Sequence, residues 1–371
     1  METKKYRFDE VTINFDKKRI PLSSAQREKR QGMFRYYGAQ GVIDHVDDYI
    51  FEGTYLLIAE DGENLKSKKQ NIAQVVDGQF WVNNHAHIVQ GNEQCDTRFL
   101  CYLINSMDLS GYITGSAQPK LSQANLNAVT LSLPTLAEQK RIVEYLYMLD
   151  QKIDVNRQIN DNLQQQASAL FSSFYDWSNT EVRYTDLIQI LGGGTPKTGE
   201  NTYWNGNIAF FTPKDVGTPY TLITEKTITE EGLSHCNSRL YPVNTVFVTA
   251  RGTVGKVGMS GVPMAMNQSC YALVGKETHQ LLVYFYTLKA VDRLKHKASG
   301  AVFDAITTRD FESEQIMKLS DDDAKAFLCI AEPMFQKVLN NCIENLRLST
   351  LRDSLLPKLM SGEVDVSAVK L

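Results

Sequence analysis

Apolar side chains recur in alternating steps of four and three along a stretch that begins near Ala137: Ile142, Leu146, Leu149, Ile153, Leu163, Ala167, Leu170 and Phe174. Such spacing is a heptad seam and predicts a helix of roughly 36 to 40 residues, against an ordinary globular length of about 11 to 12. A displacement of 185 residues carries the stripe onto Phe327, Ala331, Met334, Val338, Leu348, Arg352, Leu355 and Leu359. The polar interruptions travel with it, Asn156 and Asn160 falling on Asn341 and Asn345. The chain is therefore read as an internal repeat, which outranks any local motif in setting architecture. A single large domain with one long helix and chance asparagine matches is the plainer alternative, and it explains less of the coincidence. The two seams are predicted to pack on each other. Ile142, Leu149, Ile153, Asn156, Asn160, Leu163 and Leu170 form one side, and Met334, Val338, Asn341, Asn345, Leu348 and Leu355 the other. Thr135 with Glu138 supplies a capping box at the start of the first helix.

The segments ahead of the helices repeat more loosely. Thr54–Ala59 reads as a strand with Thr245–Ala250 as its counterpart, and Val82–His85 resembles Ala265–Gln268 in position. Gly115-Ser116 answers to Gly300-Ala301, Leu121-Ser122 to Ile306-Thr307, and Leu126 to Phe311. The predicted order is thus a mixed α/β globular part over 1–133, a long helix over 134–178, a second globular part over 179–320, and a second long helix with its tail over 321–371. The fold class is α+β with a pseudo-twofold repeat and two long antiparallel coiled-coil helices.

With 371 residues, 43% hydrophobic and 22% charged, the chain can build more than one core. It has no apolar run of about 18 residues, so no membrane partner is expected. Met1–Arg7 lacks a secretory apolar core, and a cytoplasmic location is expected. The six cysteines, Cys95, Cys101, Cys236, Cys270, Cys329 and Cys342, show no C-x-x-C spacing and read as reduced thiols.

Catalytic motifs are scarce. Gly252–Val257 has too few residues between its glycines, and no Ser/Thr after Lys256, to be a phosphate loop. Gly192–Pro196 lacks the continuation of a dinucleotide turn. His85 and His87 are expected on one face of a strand, where they could ligate a metal; a hydrogen-bonding role is the commoner use of such a pair without a third ligand nearby. No G-x-S-x-G or H-E-x-x-H motif occurs. No metal site, no catalytic residue and no cofactor of its own is assigned to the chain.

Charge points to binding instead. The net charge of −4 argues against a general nucleic-acid coat, yet basic residues are segregated. They cluster over Lys17–Arg35, in the Lys66, Lys68, Lys69 loop, and over Lys289–Lys297, while acids gather at Asp321–Asp323. Each cluster alone could be a solvated surface; one in each half favours phosphate neutralisation.

The run Leu131–Ile142, continuing through Leu149–Asp154, resembles the first conserved region of the DNA-specificity subunits of type I restriction–modification systems. Gly193–Pro196 is similar to the opening of one of that family's target-recognition domains, and Leu355–Glu363 to the close of its second conserved helix. Arg35–Gly41 and Tyr55–Gly62 are similar to one recognition-domain subtype. The start of the second conserved region departs from the pattern, having Leu319-Ser320-Asp321-Asp322-Asp323 in place of a proline and a Glu-Gln pair. The resemblance implies two recognition domains, held apart by antiparallel helices of roughly 60 Å, each reading half of a split, asymmetric double-stranded DNA target. It implies two modification (methyltransferase) subunits and restriction (translocase/nuclease) subunits as partners, which bind S-adenosylmethionine, ATP and magnesium. A four-residue insertion after Asn160 is expected to widen the gap between half-sites. The DNA-contact candidates, all expected on loops, are Arg35, Lys66, Lys68, Lys69 and Lys120 in the first domain. Those in the second are Lys197, Lys214, Arg251, Lys256, Lys297 and Arg309. Two other classes stay open: a coiled-coil scaffold with two protein-binding heads, and a fused DNA methyltransferase or nuclease.

Overall fold

The computed structural model describes residues 2–67, 70–115, 118–176, 178–217, 219–297 and 305–364. Contacts group the chain into two units, Met1–Gln151 with Leu348–Leu371, and Lys152–Arg347. Each unit thus takes part of each long helix. Both helices are present: the first spans Leu136–Phe174 and the second Asp321–Ser361.

The strands of the first unit are β1 (Lys4–Arg7), β2 (Thr12–Asn14), β3 (Gln31–Gly38), β4 (Gly41–Val46), β5 (Phe51–Ala59), β6 (Ala73–Val82), β7 (Ala86–Gly91) and β8 (Thr130–Leu133). Six of them form one sheet in the order β2-β7-β5-β6-β3-β4. β1 and β8 pair antiparallel and tie the start of the globular part to the residues that enter the long helix. The predicted strand Thr54–Ala59 is the core of β5, with Leu56, Leu57 and Ile58 buried because both of its edges are paired.

In the second unit the strands are β9 (Thr180–Arg183), β10 (Ile188–Gly192), β11 (Trp204–Phe211), β12 (Tyr220–Thr221), β13 (Lys226–Ile228), β14 (Val246–Thr249), β15 (Val257–Ser260), β16 (Met264–Met266), β17 (Cys270–Gly275) and β18 (Gln315–Lys318). The repeat is legible in their pairing. β14 lies between β15 and β17, both antiparallel, as β5 lies between β6 and β7. β6 pairs antiparallel with β5 and then parallel with β3; in the second unit these two jobs are divided between β15 and β16, which pair with β14 and β11. β9 and β18 answer to β1 and β8. The matches at Ser116, Gly300 and Ala301 lie outside the described residues.

Within each unit the two helical segments run antiparallel. In the first, Ile142 and Leu146 are buried in a cluster that includes Leu355 and Leu359. In the second, Leu163, Leu170, Met334 and Val338 join Phe171, Phe327 and Phe335. Phe171 stacks on Phe285 at 5.0 Å and meets Phe327 edge-on at 5.4 Å. Full burial of such a ring stabilises by about 1.5–3 kcal/mol. The seam residues Ile153, Asn156, Asn160 and Asn341 are buried, and Leu149, Asn345 and Leu348 are half-buried. Arg352, an odd member of the stripe, donates through Nη1 to Asp150 Oδ1 at 2.6 Å, and Tyr102 Oη donates to Asp150 Oδ2 at 2.5 Å.

The helix starts use one solution twice. Thr135 N and Oγ1 both donate to Glu138 Oε2, at 3.0 and 2.8 Å. Ser320 Oγ donates to Asp323 Oδ2 at 2.6 Å and accepts from Asp323 N at 3.1 Å. The departing sequence at Ser320–Asp323 therefore still caps the helix. Gln139 is fully buried: its Nε2 donates to the Gln94 and Pro134 carbonyls, and its Oε1 accepts from Asp96 N. It fastens the first helix to the globular part at a position where the second helix has Ala324.

Candidate nucleic-acid interface

Three turns of the second unit enclose a cleft of about 560 Å³, lined by Thr212, Pro213, Lys214, Glu225, Lys226, Arg251, Gly252, Thr253, Asn267 and Ser269. The first turn leaves β11. There Thr212 N and Oγ1 both donate to Asp215 Oδ2, at 2.8 and 2.6 Å, which fixes the bend that presents Lys214. The second leaves β14, where Gly252 takes φ +80°, a left-handed conformation that glycine adopts without the Cβ penalty. The third leaves β16. Asn267 N donates to Phe211 O at 2.9 Å, and its Oδ1 accepts from Ser269 N at 3.0 Å. Gly193 packs against this third turn, where a Cβ would meet Asn267 O at 2.2 Å.

Its electrostatics are lopsided. Arg251 is exposed and makes no side-chain bond among the described residues. Lys214 is 3.9 Å from Glu225, a loose pair on a mostly exposed side chain. Lys226 lies over the Trp204 ring at 5.5 Å, and Trp204 Nε1 donates to Lys197 O at 3.1 Å. Three cations thus face one carboxylate around a concave surface, and their charges suit phosphate oxygens or acceptor-rich base edges.

Of the sequence candidates, Lys214 and Arg251 meet in this cleft, and Lys197 lies in the segment that supports it. Lys256 is exposed in the turn between β14 and β15, its backbone N donating to Thr249 Oγ1 at 2.9 Å. Lys297 ends a helix, Gln280–Lys297, and its Nζ is 2.6 Å from Oε2 of the buried Glu314, so its charge is engaged within the unit. Arg309 stands on a short helix, Thr308–Glu312, and Arg35 on β3, so neither is on the loop expected for it. Arg35 Nη2 donates to Asp77 O at 2.7 Å, because the side chain reaches across to the neighbouring β6. Lys66 Nζ donates to Gly115 O at 2.9 Å, and Lys120 Nζ is 3.3 Å from Glu60 Oε1. Lys68 and Lys69 lie outside the described residues.

Sequence reasoning missed Lys226, Asn267 and Ser269 in the cleft, and a charged network in the first unit. Asp16 is its centre: Oδ2 is 2.6 Å from His87 Nδ1, and Oδ1 accepts from Ile88 N at 2.8 Å. Arg19 donates to Glu60 Oε2 at 2.8 Å and to Ala86 O at 2.9 Å. Burial works against each charge here, yet the Asp16 and Glu60 carboxyls lie below their ordinary range, because His87 and Arg19 donate to them. His87 is buried on β7, whereas His85 sits in the turn before it, bonded to Asp61 at 2.8 Å. The two do not share a strand face, because Asn83 Oδ1 accepts His85 N and turns the chain out of the ladder. Among the described residues no group of three or more His, Cys, Asp or Glu side chains could hold a metal. All six cysteines are free, and burial pushes the Cys95, Cys101 and Cys270 thiols up to about 12. No helix among the described residues is long and apolar enough to cross a membrane.

The chain is 36% identical over 138 residues to a putative type I restriction enzyme specificity subunit of Haemophilus influenzae, covering 37% of this chain and 35% of that protein. It therefore spans about a third of that relative's length. It is 24% identical over 401 aligned positions to the type I restriction enzyme HindI specificity subunit of the same organism, covering 84% of each. The fold is shared with the crystal structure of the type I restriction–modification S subunit from M. genitalium, at 14% identity and a TM-score of 0.61 over 97% of this chain and 96% of that one. The family described as type I restriction modification DNA specificity domain matches residues 2–165 and again 176–318. Matched twice over most of its length, the chain belongs to the type I restriction modification DNA specificity domain family.

Proposed function

We propose that the chain is the non-catalytic specificity subunit of a type I restriction–modification complex, acting on cytoplasmic DNA. Each repeat reads one half of a bipartite, asymmetric duplex target, and the chain docks two modification (methyltransferase) subunits together with restriction subunits. Those partners supply S-adenosylmethionine, ATP and magnesium. The observation that carries the reading is the cleft of Lys214, Lys226 and Arg251, a concave cationic surface in a unit whose family is defined by DNA specificity. Such a surface neutralises phosphate and presents donors to base edges.

The test is duplex binding by the chain together with its modification subunits at moderate salt, with competitor DNA. A preferred sequence should be held about 10³-fold or more above unrelated duplex. Retention of no DNA would favour a scaffold with protein-binding heads, and S-adenosylmethionine binding by the isolated chain would favour a fused methyltransferase.

A further inference from the structure

The two units build the same loop scaffold and place opposite charges on it. Glu60 N donates to His85 O at 2.9 Å, and Ala250 N to Ser269 O at 2.8 Å. Leu121 N donates to Glu60 O at 2.8 Å, and Ile306 N to Ala250 O at 2.9 Å. Asn83 N donates to Tyr37 O at 3.0 Å, and Asn267 N to Phe211 O at 2.9 Å. Isolated antiparallel bridges join Asp61 with Lys120 and Arg251 with Ala305. The next residue is a left-handed glycine in both, Gly62 at φ +115° and Gly252 at φ +80°. These matches put Asp61 where the second unit has Arg251, and His85 where it has Ser269.

We propose that Arg251 and Asp61, at the same point of the repeat, are base-reading residues. Arg251 takes the guanine edge in one half-site, and Asp61, oriented by His85, takes the amino group of cytosine or adenine in the other. The inference rests on the specificity-subunit reading. Two equivalent loops that approach a duplex alike meet phosphate in both places or base edges in both. A carboxylate at Asp61 is repelled by phosphate, so the shared contact is a base edge. Base edges are also the partners that differ in donor and acceptor from one target to another. The guanidinium offers a planar fork matched to guanine O6 and N7, whereas a carboxylate only accepts. Backbone bonds hold each loop, so each head group is presented by a fixed support.

The experiment uses the full chain with its modification subunits and a pool of duplexes randomised in both half-sites. The wild type is expected to select guanine at one position that Arg251→Lys leaves unselected, with the other half-site unchanged. Affinity for the selected duplex should fall by roughly 5- to 150-fold, and the salt slope should stay constant because the charge is kept. Asp61→Asn should alter one position of the other half-site. Three results would overturn the inference: Arg251→Ala weakening all duplexes equally, a position affected by Arg251 that is not guanine, or both substitutions acting on the same half-site. A wild type that selects no sequence would instead remove the specificity-subunit reading, and the inference with it.

Discussion

Asn156 Nδ2 donates to Asn345 Oδ1 at 2.9 Å, and the repeat maps this bond onto a second one, Asn341 Nδ2 to Asn160 Oδ1 at 2.8 Å. Asn156 Nδ2 also donates to Glu344 Oε2 at 2.7 Å. The buried Asn156 Oδ1 and Asn341 Oδ1 have no partner among the described residues. Amides in an apolar seam are tolerated where they face one another, because a buried amide without a partner is costly.

The asparagine ladder therefore predicts a non-additive result. Asn160→Ala removes the acceptor for the buried Asn341 amide and should cost about 1–3 kcal/mol. Asn160→Leu with Asn341→Leu removes both partners and should be nearly neutral. Urea unfolding of the full chain measures both; a double variant that loses the sum of two single substitutions would contradict the pairing.

His87 predicts a particular pH profile. Burial alone lowers its pKa, but the Asp16 hydrogen bond, the Leu121 carbonyl and the Asp16 and Glu60 charges raise it above the ordinary 6.5. Its contribution is fully present below about pH 6.5 and is lost as pH rises through the raised value. Asp16 and Glu60, held below their ordinary values, contribute above the ordinary carboxylate range of about 4, and this is lost as pH falls through the lowered values. Thermal unfolding from pH 5 to 9 should show falling stability on the alkaline side for the wild type and a flatter profile for His87→Gln. Identical profiles would remove the charged-histidine assignment.

Lys297 and Lys214 should respond oppositely, although both read as DNA contacts in the sequence. Lys297→Met withdraws the cation nearest the buried Glu314, leaving Arg293 at 3.7 Å, and should cost about 1–3 kcal/mol of stability with no change in the salt slope of DNA binding. Lys214→Ala should lower that slope by about one and leave stability within about 0.5 kcal/mol. Unfolding and salt-dependent binding of each variant decide the matter.

An insertion in one long helix should not act as a simple spacer. Four residues after Asn160 turn the following side chains by only about 40° but move them about 6 Å along the helix. Phe171 then leaves Phe285 and Phe327, so the melting temperature should fall. A matching insertion after Asn340 moves the facing segment equally and should restore most of the loss. If the paired variant is no more stable than the single one, Phe171 is not held by this register.

The long helices were legible because a seam is a local periodicity, and the four asparagines stood out against it. Phe171 was not, because the stripe was traced through Leu170 and Phe174, on either side of the fully buried ring. The division of β6 into β15 and β16 was hidden by its pairing, since one strand changes partners where two do not need to. The cleft was half visible. Lys214 and Arg251 were found as isolated charges, but Asn267 and Ser269 join them only through the sheet; the match of Val82–His85 to Ala265–Gln268 pointed to this turn one residue out of register, since the backbone bonds set Asn83 at Asn267 and His85 at Ser269. Ser320 with Asp323 looked like a broken motif because family likeness is read in letters, whereas an acidic partner three residues after a serine satisfies the same backbone amides.

The contact between Asp150 and Arg352 breaks the symmetry that the asparagines keep. Its repeat-related positions are Phe335 and Ala167, both buried in an apolar setting. If a first half-chain paired with another copy of itself, Asn156 would still find Asn160, but Asp150 would face Ala167 and lose its guanidinium. Such a pairing would keep the asparagine contacts and lose the ion pair, so the bond of Asp150 to Arg352 favours the two different helices of one chain over two copies of the first.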